Sequence, residues 1–129
     1  MAILYLCSLI FGVQDAQLVI DELNGMDLDI DLIDLRTLKP LDMGPIQASL
    51  ERTHKLCILD ESTRSGGVGA TICSRVCEEL FDLLDAPVVR LSMDDAPVPY
   101  ASSMEREVVK RGADLVKAVT NLCPPPPVF

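Results

Sequence analysis

Apolar positions along this chain alternate between two rhythms, short runs that suit strands and longer segments repeating every three to four residues that suit helices. Ala2 to Cys7 is a continuous apolar run and predicts a first strand. Val13 to Leu23 carries apolar residues at 13, 16, 19, 20 and 23, a helical spacing closed by Asn24-Gly25 as a C-terminal cap. Leu28 to Leu35 begins by alternating apolar and acidic residues, which predicts a strand with one half-exposed face toward a sheet edge. Asp42 is the expected cap of the next helix, with Pro45 in its first turn and Ile46, Leu50 and Thr53 on its inward stripe. Leu56 to Leu59 reads as a strand buried on both faces. It ends in Asp60-Glu61, passes through the polar loop Ser62 to Ser65 and reaches Gly66-Gly67-Val68-Gly69. The helix beyond is expected to lay Ile72, Cys73, Val76, Cys77, Leu80, Phe81 and Leu84 on the sheet, with Glu78, Glu79 and Asp82 facing outward. Asp85-Ala86-Pro87 ends it, and Val88 to Leu91 is the fourth strand. Residues 92–103 hold Pro97 and Pro99 and read as a loop, 104–109 as a broken polar helical turn, and Ala113 to Leu122 as the last helix. The four prolines of CPPPPVF carry the tail out of that helix in polyproline II geometry.

The order β-α-β-α-β-α-β-loop-α implies an α/β fold, an open and mainly parallel sheet with helices on both faces. The 129 residues suit one domain, at 1–123, followed by the proline-rich tail at 124–129. With 49% hydrophobic residues but only 4% aromatic and no Trp, the core must be aliphatic. The net charge of -9 and the absence of any Lys/Arg run argue against nucleic acid and anionic membrane, and favour a basic protein partner. The apolar start MAILYLCSLIF is too short for membrane insertion and lacks the basic region of a signal peptide. Five cysteines at 7, 57, 73, 77 and 123 argue against a disulfide framework and for a reducing compartment. Cys73 and Cys77 stand at helical i, i+4 spacing, and with His54 as the only histidine they read as core packing rather than zinc ligands.

Ligands of such folds bind at the carboxyl ends of the strands, where Ser65 to Ala70 falls. From Gly67 a dinucleotide fingerprint stops at Ile72, and no Lys follows for a phosphate loop, so a small nucleotide-binding protein is the weakest reading. Asp60 and Glu61 also oppose an anion there. The turn reads as structural, with the Glu61 carboxylate as the expected partner of nearby N–H groups. His54 reads as a solvated or capping residue, and no Ser or Cys stands in a nucleophile elbow. Asp27, Asp29, Asp31 and Asp34 read as solvated surface rather than a calcium loop. No catalytic, cofactor-binding or metal residue is assigned.

Three ordered blocks, IDLRTLKPLD at 33–42, LDESTRSGGVGA at 59–70 and LFDLLDAPVVRLSMDDAPVPYASSMER at 80–106, carry a resemblance across nearly the whole chain, from Ile3 to about Cys123. Together they resemble the C-terminal domain of the beta subunit of the pyruvate dehydrogenase decarboxylating component, in its plastid form, with the transketolase C-terminal domain fold. The resemblance implies a three-layer α/β/α domain whose five-stranded, mostly parallel sheet has one antiparallel strand, the fifth falling near Ala2 to Cys7 or in 92–109. It implies a non-catalytic assembly and docking role in the oxidative decarboxylation of pyruvate to acetyl-CoA. The implied partners are the alpha subunit, a second beta subunit and a basic segment of the dihydrolipoyl acetyltransferase. Thiamine diphosphate and magnesium belong to the parent enzyme and not to this chain. The acid before Ala-Pro, Asp85, falls at a position that contributes to the acidic docking site. The implied compartment is the plastid stroma, with the mitochondrial matrix or a bacterial cytoplasm as alternatives. Met1 lies where a linker from a pyrimidine-binding domain arrives in the family, so a fragment, a truncated gene or a stand-alone paralogue is expected. The alternative role is a stand-alone interaction subunit in another, plastid assembly.

Overall fold

The computed structural model describes residues 2–7, 16–21, 23, 28–109 and 112–123, and of 2–7 the backbone alone. Asn24-Gly25, Asp27 and the prolines after Cys123 lie outside the described residues. The elements are strand β1 (Ala2–Cys7), helix α1 (16–21), β2 (Asp29–Asp34), α2 (Gly44–Thr53), β3 (Leu56–Thr63), α3 (Val68–Glu79), β4 (Val89–Met93), α4 (Ser102–Val108) and α5 (Gly112–Leu122).

The sheet runs β2-β1-β3-β4, and all three neighbouring pairs are parallel. Two layers of apolar side chains cover it. Cys57 and Leu59 of β3 pack with Val19, Ile20, Leu115 and Val119 of α1 and α5. Leu56 and Ile58, pointing to the other face, pack with Ile46 and Leu50 of α2 and with Ile72 and Val76 of α3. This alternation makes the domain a three-layer α/β/α sandwich, and it explains why β3 is an unbroken apolar run: both of its faces are buried. The expected fifth strand is not seen among the described residues. Ala2–Cys7 is one of the four strands, and 92–109 carries the end of β4 and then α4.

β2 is an edge strand, as its alternation predicts, yet its acids are not all solvated. Asp29 is exposed, and Asp34 pairs with Arg36 at 2.9 Å. Asp31 is half-buried under α2, where it accepts a hydrogen bond from Ser49 Oγ and lies 2.5 Å from Arg52 Nη2. Three residues apart, Ser49 and Arg52 share one helix face, and together they supply the polar cover that a partly buried carboxylate needs.

Two helix ends differ from the expected ones. Asp42 does bond the Gly44 amide, at 2.9 Å, but the cap position itself is Met43, so the acid acts one residue before it. The longer correction is α3, which stops at Glu79 rather than continuing to Leu84. Leu80 leaves the helical region with φ -132° and ψ 17°, and Phe81–Leu83 follow as a 3₁₀ turn. That tighter winding turns Leu80, Leu83 and Leu84 toward the α2/α3 core and leaves Phe81 66% exposed. Cys77 is exposed as well, so of the predicted stripe Ile72 and Val76 are fully buried and Cys73 only partly.

Candidate functional site

β1 lies beside both β2 and β3, so the connections leaving β1 and β3 run to opposite sides of the sheet. A crevice at the carboxyl ends of such a strand pair is the usual ligand position in open α/β sheets. Here it holds the turn between β3 and α3. The ladder between β3 and β4 is irregular at this point: Asp60 pairs with Ser92 and Thr63 with Met93, leaving an extra pair of residues in β3. The bulge turns the end of β3 back over the start of α3.

Asp60, only 2% exposed, is the centre of the turn. Its carboxylate accepts hydrogen bonds from the Gly69 amide at 2.7 Å, the Ser62 amide at 3.0 Å and Ser62 Oγ at 2.5 Å. The sequence points to Glu61 as the acceptor; the bond falls to Asp60 because that residue points to the α3 face with Leu56 and Ile58. The glycines are there for space. A Cβ on Gly67 would lie 2.8 Å from Asp60 Oδ2 and 2.7 Å from the Thr63 carbonyl, and one on Gly69 would lie 2.7 Å from Asp60 Oδ2. Gly66, at φ +76°, is the one that needs glycine for its backbone.

The turn does not fit the diphosphate of thiamine diphosphate. A diphosphate needs free amides at the helix start, and the Gly69 amide is already bonded to a buried carboxylate that would repel it. Among the described residues no group of three or more His, Cys, Asp or Glu side chains is arranged to hold a metal ion. Beside the turn, Ser65 donates to Asp95 through its amide at 2.7 Å and its hydroxyl at 2.6 Å, tying the loop after β3 to the loop after β4. The bonds from the Ser65 hydroxyl and then its amide hold the Asp95 carboxyl below its usual range. Arg90 of β4 closes the same corner, donating from Nη2 to the Arg64 carbonyl at 3.0 Å and to Ser92 Oγ at 3.3 Å.

Asp85 sits at the opposite end of the sheet, just before β4. Its amide donates to the His54 carbonyl at 2.8 Å, which fixes the backbone while the residue stays exposed. His54 is the left-handed cap of α2 at φ 57°, and its Nδ1 lies 3.0 Å from the Leu83 carbonyl. It is therefore a capping residue that joins α2 to the 3₁₀ turn. Lys55 next to it reaches the end of α5, donating to the Leu122 carbonyl at 3.0 Å and to Cys123 Sγ at 3.2 Å. The surface leading to Asp85 is acidic and carries one large apolar group: Glu78, Glu79, Phe81, Asp82 and Asp85 are all exposed. Glu79 is matched by Arg75 at 2.8 Å. The structure thus separates two features that are close in sequence, a self-satisfied glycine turn at one end and an acidic rim at the other.

Residues 11–114 match the family model for the transketolase, C-terminal domain. The chain is 44% identical over 95 residues to the pyruvate dehydrogenase E1 component subunit beta of Staurastrum punctulatum, covering 74% of this chain and 29% of that protein. It is 43% identical over 95 residues to the chloroplastic subunit beta-2 of Arabidopsis thaliana, covering 74% and 23%. The mitochondrial subunit beta-2 of Oryza sativa subsp. japonica is 41% identical over 103 residues, covering 80% and 27%. The chain therefore spans under a third of the length of these relatives. Among solved structures, a split-gene transketolase described as an inactive beta4 tetramer superimposes with a TM-score of 0.78 at 20% identity, over 93% of this chain and 39% of that one. With the family model matched over residues 11–114, this chain belongs to the transketolase C-terminal domain family, and the solved structure shares its fold.

Proposed function

We propose that this domain is the assembly and docking module of a pyruvate dehydrogenase E1 beta subunit and serves the oxidative decarboxylation of pyruvate to acetyl-CoA without itself binding cofactor. The observation that carries the reading is the 44% identity over 95 residues to a protein of that name. In this reading residues 1–123 form the module, the 124–129 stretch follows it, and a fifth strand beside an outer strand of the sheet completes the family architecture. Thiamine diphosphate and magnesium are held elsewhere in the parent enzyme. The Asp60 carboxylate at the glycine turn supports this, because it takes an amide that a diphosphate would use.

The alpha subunit and a second beta subunit are the assembly partners, and a basic segment of the dihydrolipoyl acetyltransferase docks on the acidic rim. Asp85 suits that role: its backbone is anchored to His54 and its side chain is exposed, as are those of Asp82 and Phe81 before it in the chain. Exposed acids steer a basic partner and add specificity more than raw affinity. The chloroplastic names of relatives from Arabidopsis and rice support the plastid stroma, and the mitochondrial rice relative supports the matrix as the alternative. Calorimetric titration with the basic acetyltransferase segment tests the docking claim. Binding that weakens with salt and falls on Asp85→Lys supports it, and unchanged affinity takes Asp85 out of the site. Titration with thiamine diphosphate and magnesium should give no heat; clear binding by this chain would overturn the reading.

A further inference from the structure

Cys73 and Cys77 stand one turn apart in the last two turns of α3, at the i, i+4 spacing that places them on one helix face. Cys73 is half-buried against the α2/α3 core, and Cys77 is exposed. The other described cysteines, Cys57 and Cys123, are buried in the opposite layer. Nothing in the family match or the docking role uses this pair.

Helix geometry limits what two such thiols can do. Side chains four apart hold their Cβ atoms about 5–6 Å from each other, whereas a disulfide needs roughly 3.5–4.5 Å. Closing a disulfide would therefore require α3 to deform. A metal bridge has no such requirement: two metal–sulfur bonds of about 2.3 Å span up to about 4.6 Å between sulfurs while the helix stays intact. Four-coordinate zinc would need further ligands, and no third His, Cys, Asp or Glu is arranged with this pair among the described residues. A soft monovalent cation, satisfied by two thiolates, needs none. A cuprous bis-thiolate carries one negative charge; burial and then the neighbouring Cys77 raise the Cys73 thiol, Arg90 acts in the opposite direction, and the metal must displace the protons. Arg90 has capacity to spare there, because its Nε is buried with no hydrogen-bond partner.

We propose that Cys73 and Cys77 form a two-coordinate site for a soft monovalent cation such as Cu(I) on the outer side of α3. Binding exchanges two protons for the metal: two thiols and one Cu(I) give one bis-thiolate complex with a single negative charge and two released protons. No redox change is involved. The ion bridges the last two turns of α3 from outside and so stiffens the helix end that leads to the 3₁₀ turn and the acidic rim.

The test is an anaerobic titration of the full chain with Cu(I), competed against bicinchoninate and read by the colour of the chelator complex. The expected result is one Cu(I) withdrawn per chain by the wild type and by a variant with Cys7, Cys57 and Cys123 changed to Ala. Cys77→Ser, at an exposed position that leaves the fold intact, should withdraw none, and Cys73→Ser should match it. If the wild type fails to compete, or Cys77→Ser withdraws as much copper as the wild type, the site does not exist. Neither outcome bears on the docking reading, which rests on Asp85.

Discussion

The contact between Gly69 and Asp60 makes a test of the glycine turn in which one substitution should reverse the sign of another. Changing Gly69 to Ala places a Cβ 2.7 Å from Asp60 Oδ2, 3.0 Å from its Cβ and 3.2 Å from its Cγ. Asp60 is 2% exposed and held by bonds to Gly69 and Ser62, so it cannot yield without losing them. Overpacking of this kind costs about 1–3 kcal/mol, and moving the carboxylate off the Gly69 amide adds to it. The helix preference for Ala over Gly recovers at most about 1 kcal/mol, for a net destabilisation of ~2 kcal/mol. Asp60→Ala alone strands the Gly69 amide, at roughly 1–3 kcal/mol, and removes a negative charge from a helix start, at up to about 1 kcal/mol. In the double variant the space next to residue 69 is empty, so Gly69→Ala should be neutral or stabilising when made in the Asp60→Ala background. The coupling expected is therefore about 2–3 kcal/mol, at the upper end of what contacting residues show. Urea unfolding followed by far-ultraviolet circular dichroism on all four proteins measures it, with equal m-values as the check that the states are comparable. Effects that add to within ~0.5 kcal/mol would show that glycine is not required at 69 by the closeness of Asp60.

Other regions give independent tests. Burial pushes the Cys57 thiol up to about 12 from 9.0. Its raised value means full stability below the unfolded thiol's pKa and a loss of about 1.4 kcal/mol per pH unit above it until the folded value is reached. Denaturation curves between about pH 8 and 11 should show this slope in the wild type and a shallower one in Cys57→Ala. The Asp95 carboxyl, held low by Ser65, has the opposite sign: its contribution is present above the ordinary carboxylate pKa and disappears as acid takes the pH through the lower folded value. The Ser65 amide resonance should therefore titrate with a midpoint below 3.8, and a midpoint above it would break the link. Phe81→Ala should change stability by less than about 0.5 kcal/mol, since surface substitutions rarely do more; a loss above about 2 kcal/mol would put Phe81 back in the core.

How far the sequence shows this structure depends on which signal each residue obeys. β3 and the α5 stripe are legible because burial on two faces, or on one helical face, leaves a period in the residues themselves. Leu56 to Leu59 and the run of Leu115, Ala118, Val119 and Leu122 are buried as their spacing says. Phe81 and Cys77 mislead because apolar spacing continues past the point where the backbone tightens, and nothing in LFDLLD marks the 3₁₀ step. Asp31 misleads for another reason. An acid on an edge strand looks solvated until the helix above it is seen to carry Ser49 and Arg52 at matching height, a contact across 18 and 21 residues. Asp60 is half legible: an acid ending an apolar run, with glycines at 67 and 69, signals a close approach but not which of two adjacent carboxylates makes it. Of the candidate site, Asp85 is found exposed at the rim, and its role rests on family resemblance rather than on a chemical pattern in the chain.

The position of β1 has a consequence for cooperativity. Among the described strands β1 alone connects β2 to the rest, matching Asp29–Asp34 along its whole length on one edge and Leu56–Leu59 on the other. The sheet is thus two parts joined by six residues, with the apolar helical layers on its two faces spanning the join. Loosening β1 would not fray an edge; it would break the hydrogen-bonded ladder between β2 and the β3-β4 pair and leave the helical layers alone to bridge them. Hydrogen exchange should accordingly find β1 and β3 opening as one unit. That makes the least conspicuous strand the one on which the continuity of the sheet depends.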